Sequence, residues 1–140
     1  MKYVLDASVA LKWVLPEADS DEADALRDGF ERRIHDLLAP DVFPVEVAHA
    51  VTKAERRGLI TPARGSVLLS DVLGTLPRLA PSLPLVPEAY ALASAARISF
   101  YDCLYVALAE REGCSFITAD ARLINALQKG RPFIVALSSL

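Results

Sequence analysis

Cysteine is scarce: Cys103 and Cys114 are the only two in 140 residues, eleven apart, in apolar settings and outside any C-x-x-C pair. Two packed, reduced thiols imply neither a redox enzyme nor a zinc site. Histidine is equally scarce. Glu46-x-x-His49 resembles half of a di-iron helix pair, but that site needs a second such pair and the only other histidine, His35, lacks one. The six glycines form no G-x-S-x-G, no Walker A sequence and no G-x-G-x-x-G, which excludes those hydrolase and nucleotide-binding signatures. No uncharged run approaches the ~18 residues of a membrane span. The apolar start Tyr3-Val4-Leu5 is stopped at once by Asp6, so no secretory signal is expected and the chain should stay in the cytoplasm. There is no basic excess: 15 Lys and Arg face 18 Asp and Glu, a net charge of −3. That argues against a broad nucleic-acid coating surface and leaves room for a local groove.

What the chain has in quantity is apolar residues. At 53% they exceed the roughly 45–50% of ordinary soluble domains, an excess we read as core plus a subunit interface. The length fits one domain over residues 1–140, with no repeats or linkers to divide it. KYVLD (2–6) reads as a buried strand, SVALKWVL (8–15) as a helix that Pro16 closes or interrupts, and 19–33 as an acidic-headed helix. A short strand is expected around 37–39, then a helix over 44–58 with Pro44 in its first turn, basic residues in its last and Gly58 past its end. Thr61-Pro62 opens a helix running to about residue 76. The proline-rich stretch 78–87 reads as connector with room for one short strand, and 87–97 and 99–113 read as helices. A buried strand at 114–118, a helix at 121–130 and a terminal strand at 132–137 complete the chain. Strands alternating with helices predict an α/β fold with a mostly parallel sheet covered on both faces. In such a sheet, strand C-termini and the heads of the helices after them share one edge, where ligands bind.

Four acidic residues each interrupt apolar sequence at the head of a predicted element: Asp6, Glu46, Asp102 and Asp120. Each has a structural explanation taken alone. Ser99-x-x-Asp102 matches a capping box, Asp120 an N-cap, and Glu46 complements the positive end of its helix. Taken together these explanations weaken, because the parallel sheet brings all four to one edge. Two unit charges about 4 Å apart repel by about 4 kcal/mol at an effective dielectric of 20. Strong pKa shifts or a bound cation would relieve that repulsion, and an all-carboxylate set is hard, favouring Mg²⁺ or Mn²⁺ over zinc. The chemistry such an ion serves best is phosphodiester hydrolysis. Ser8 and Thr118, each two residues from one of these aspartates, are candidate supports that hydrogen-bond a carboxylate, or simple turn and cap hydroxyls.

The stretches KYVLDASVALKWVLPE, PDVFPVEVAHAV, SFYDCLYVALAE and FITADARL resemble the PIN-domain ribonucleases and, within them, the VapC-type toxins of toxin–antitoxin pairs. The resemblance covers nearly the whole chain, and residues 60–90 add little to it. It implies a three-layer α/β/α fold and divalent-metal endoribonuclease activity, with Asp6, Glu46, Asp102 and Asp120 as catalytic and metal-holding acids and Ser8 and Thr118 beside them. It also implies an RNA substrate cut by a metal-activated water, a homodimer, and a cognate antitoxin whose C-terminal segment crosses the active-site groove. Lys12, Lys53, Arg56 and Arg122 are candidates for phosphate contacts. The alternatives are a housekeeping ribonuclease without an antitoxin, a non-catalytic binding module, and a phosphoacceptor signalling domain. The last predicts an acidic pair at the end of the first strand and a lysine before a late proline, whereas here Leu5 precedes Asp6 and Arg131 precedes Pro132.

Overall fold

The computed structural model describes residues 1–15 and 18–140, so the reading that Pro16 closes the first helix lies outside the described residues. Among the described residues five strands, β1 (Lys2–Leu5), β2 (Asp36–Pro40), β3 (Arg78–Ala80), β4 (Ser115–Thr118) and β5 (Ile134–Ala136), form one sheet in the order β3-β2-β1-β4-β5. Every pairing is parallel, with Val4 opposite Leu38 on one side and Phe116 on the other. Among the described residues seven α-helices lie between the strands: α1 (Ala7–Leu11), α2 (Ser20–Glu31), α3 (Phe43–Arg56), α4 (Pro62–Leu73), α5 (Val86–Ala96), α6 (Phe100–Glu112) and α7 (Ala121–Leu127). From β1 the chain steps outward to β2 and β3, then crosses to the far side for β4 and β5. Right-handed crossovers in opposite directions put α1–α4 on one face and α5–α7 on the other, the expected three-layer α/β/α arrangement. The reversal of direction falls between β1 and β4, and the crevice beyond their C-terminal ends is where such sheets bind ligands.

The core explains why a helix as apolar as α6 forms. All seven residues from Cys103 to Ala109 are buried, because the helix is pressed between α5 on one side and strands β1, β2 and β4 on the other. A helix apolar all round is stable only in such a sandwich. Gly113 ends it in the left-handed region (φ 63), where a Cβ would be strained, and the chain turns directly into β4. Because α6 runs back antiparallel to β4, its head and Asp102 lie at the strands' C-terminal edge.

Several predicted elements differ in extent, α4 among them, which ends at Leu73 short of residue 76. Helix α1 stops at Leu11 rather than running to residue 15. The amides of Lys12, Trp13 and Val14 bond three residues back instead of four, and the Trp13 indole donates to the Ala23 carbonyl (2.9 Å), drawing this turn onto α2. Helix α7 ends at Leu127, and Gln128 donates its side-chain amide to the Ile134 carbonyl (2.8 Å), tying the helix end to β5. Strand β5 covers only 134–136: Pro132 stands ahead of it without a ladder donor, and Leu137 is buried in a closing 3-10 turn. The connector over 78–87 contains β3, the short strand it had room for.

Candidate active site

Asp6 follows β1 at the centre of the sheet and is 5% exposed. It occupies the N-cap position of α1 without capping it. Its Oδ2 instead accepts two hydroxyl hydrogen bonds of 2.7 Å, from Ser8 and from Thr118, the latter fully buried at the end of β4. Each hydroxyl is aimed by a backbone amide: the Ala119 N–H donates to Ser8 Oγ (3.1 Å) and the Asp120 N–H to Thr118 Oγ1 (3.0 Å). With its lone pairs engaged by an amide, each hydroxyl turns its own proton to the carboxylate. Burial pushes the Asp6 pKa up, the Thr118 and Ser8 hydrogen bonds pull against it, and the charge of Asp120 adds to the rise.

Glu46 sits in the first turn of α3, which Phe43 and Pro44 start, and its Oε1 accepts a 2.8 Å hydrogen bond from Tyr105. Tyr105 is fully buried on α6 and stacks on Phe116 of β4, with ring centroids 5.7 Å apart. Burial raises the Glu46 pKa and the charge of Asp6 raises it further, while the Tyr105 bond opposes both. Tyr105 lies three residues beyond Asp102, on the same helix face, and that spacing was the one sequence signal available for its role.

Asp102 is half-buried and accepts no hydrogen bond among the described residues. The expected capping box does not form, since Ser99 makes no side-chain cap bond. The Asp102 carboxylate faces the groove instead of turning back over the helix end. Its pKa is pushed up to about 7, first by burial and then by the charges of Asp6, Asp120 and Glu46, with Arg122 opposing. Asp120 is the one acid of the four that caps its helix: Oδ1 accepts from the amides of Arg122 (2.9 Å) and Leu123 (3.3 Å). Its second oxygen is left for other partners.

All four acids line one open groove of about 830 Å³ at the sheet edge, with Ser8 beside them. Thr118 supports the site from beneath. Among the described residues no three Asp, Glu, His or Cys side chains stand as a preformed metal-ligand cluster, so the acids ring the groove rather than touch. They nonetheless act on one another through charge: Asp6, Asp120 and Glu46 each raise the Asp102 pKa. Four hard oxygen donors in mutual repulsion fit a small divalent cation by charge and by donor chemistry. The groove continues along α3 past His49, Ala50 and Lys53, and Tyr101 lines it beside Asp102. His49, met in the sequence only as half of an incomplete di-iron pair, and Tyr101, not singled out at all, are therefore groove residues. Of the basic candidates, Lys53 lines the groove and Arg122 acts electrostatically on Asp102. Lys12 donates to the Ala18 carbonyl (2.8 Å), and Arg56 does not reach the groove.

The PIN domain profile matches residues 3–128. Ribonuclease VapC3 of Pyrobaculum aerophilum is 33% identical over 126 residues, covering 88% of this chain and 92% of its own. Ribonuclease VapC12 of Mycobacterium tuberculosis is 38% identical over 124 residues, covering 88% and 90%. Among solved structures, PAE2754 from Pyrobaculum aerophilum superposes with a TM-score of 0.71 at 23% identity, covering 99% of this chain and 94% of that one. A VapBC2 structure from Rickettsia felis, bound to a DNA fragment from its promoter, superposes at 0.67 with 14% identity and 97% coverage of both chains. Both superpositions support the fold.

Proposed function

The chain belongs to the PIN-domain family, and on that premise we propose that it is an endoribonuclease dependent on Mg²⁺ or Mn²⁺, the toxin of a toxin–antitoxin pair. The observation that carries the reading is the convergence of Asp6, Glu46, Asp102 and Asp120 on one groove, with Asp102 pushed up to about 7 by burial and then by the other three acids. These four residues would hold the ion. When bound, it supplies charge stabilisation at the phosphate and a more acidic attacking water. Ser8 and Thr118 hold Asp6 rigid, and Tyr105 fixes Glu46. Asp102, without a hydrogen-bond partner among the described residues, is the acid most open to a ligand. An antitoxin, and a second copy of the chain, are the partners this reading expects. Exposed apolar residues on α4, Val67 and Leu73, are consistent with such interfaces.

The test compares wild type with Asp6→Asn and Asp102→Asn in Mn²⁺-dependent cleavage of structured RNAs. Each substitution should slow cleavage by about 100-fold or more, and chelator should abolish it. Cleavage that survives both substitutions, or persists in chelator, removes the proposed site. For the toxin role, a short upstream open reading frame encoding a DNA-binding antitoxin is the expected genetic neighbour. Its absence would leave a housekeeping ribonuclease.

A further inference from the structure

One face of α3 presents Glu46, His49 and Lys53 to the groove, at positions i, i+3 and i+7. The opposite face, Val47, Val51 and Ala54, is buried in the core. The stripe therefore leads away from the acids for about 10 Å along the helix axis, ending in an ammonium group. Lys53 is exposed and has neither an ion pair nor a hydrogen bond among the described residues, and the His49 ring likewise has no partner. At the acidic end stands Tyr101, 54% exposed, its ring edge-on to Phe100 and its hydroxyl without a partner among the described residues. Val45, 68% exposed, lines the same groove. An exposed aromatic ring next to carboxylates, with an ammonium group two turns along α3 from Glu46, is a poor fit to core packing. It suits a ligand that is flat and uncharged at one point and anionic further along.

We propose that Tyr101 is a stacking platform for one base of the RNA strand in the groove and that Lys53 meets its sugar–phosphate backbone, which runs along α3 past His49. The proposal rests on the ribonuclease reading and adds the residues that position the strand. A duplex does not fit this arrangement, because its bases are already stacked on each other and offer no free face. Base–aromatic stacking tolerates any base, so Tyr101 fixes the strand's position without choosing its sequence. Lys53 meets a phosphate as a point charge. The charge runs from acidic at the cleavage position to basic at the far end, giving the track a direction.

The probe is a short random-sequence single-stranded RNA carrying fluorescein and 5-iodouridine, bound in Ca²⁺ buffer and checked for intactness. Tyr101→Ala should weaken binding about tenfold, and Tyr101→Phe, which keeps the ring, should stay within about twofold. Lys53→Gln should flatten the dependence of log Kd on log salt by about 0.7, the loss of one phosphate contact. Ultraviolet irradiation should give an RNA adduct on Tyr101 that the same sequence in duplex form does not give. Unchanged affinity in Tyr101→Ala overturns the proposal, including the case where that variant loses capture of an antitoxin peptide, which would assign the ring to protein docking. Adducts confined to other surfaces overturn it while leaving the ribonuclease reading intact. A wild-type protein that binds no RNA at all removes both.

Discussion

Asp102 carries its negative charge at a cost in the folded chain. Its pKa is about 7 there and near 3.8 when unfolded, so between those values the folded state holds a proton that the unfolded state has released. Stability therefore falls as pH rises through that window. In chelator, thermal melts of Asp102→Asn and wild type should nearly coincide at pH 4, with the variant gaining steadily up to pH 8. A difference constant with pH would mean that Asp102 is not held neutral by its surroundings. Thr118 acts on Asp6 in the opposite sense. Thr118→Val preserves shape but removes the hydroxyl that donates to Asp6 and accepts from the Asp120 amide. Loss of such a supporting contact should weaken Mn²⁺ binding about 10-fold or more, readable by titration calorimetry, with the fold retained by circular dichroism. Unaltered affinity would reduce Thr118 to a packing residue. At this scale the four acids were legible because each breaks an apolar run at a helix head. Tyr105 was not, since its partner Glu46 is 59 residues away and no local pattern links them.

Helix heads are the elements on which the site is built, and they differ in how each meets its first turn. Asp120 caps α7 and Thr61 caps α4, accepting from the Arg64 amide at 3.1 Å, whereas Asp6 and Ser99 make no cap bond. Where the cap is only structural, its loss should be felt only in stability. Thr61→Ala is expected to cost about 1 kcal/mol and to lower Tm by about 3 °C, with RNA cleavage unchanged. A drop in cleavage rate at a temperature well below the melt would tie α4 to the site. Element type and order followed from periodicity, prolines and caps, because those signals are local. The ends of α1 and α7 were overrun because tertiary hydrogen bonds decide them: the Trp13 indole to Ala23, and the Gln128 amide to Ile134. The capping box at Ser99 failed for a related reason, as Asp102 gives up a local bond to face its groove.

For the whole molecule, the parallel sheet converts four remote positions into one electrostatic unit. Repulsion among the acids opposes folding in the absence of a cation, and a cation that binds only the folded form stabilises it by mass action. Addition of Mg²⁺ or Mn²⁺ should raise Tm more at pH 7.5 than at pH 5, where protons already relieve part of the repulsion. An equal rise at both values would detach cation binding from these carboxylates. The direction of chain through the sheet was readable from the strand–helix alternation. The strand order was not, since nothing local says that β4 rather than β3 pairs with β1.

That order has a consequence in time. Asp6 is made well before the 118–120 segment, yet one of the two hydroxyls that hold it, the amides that aim both, and Asp120 itself come from that segment. During synthesis the first strand must wait, unpaired on one side, until β4 leaves the ribosome. A nascent chain surrounded by RNA thus carries three of the four acids and no assembled groove until β4 and the turn after it have been made.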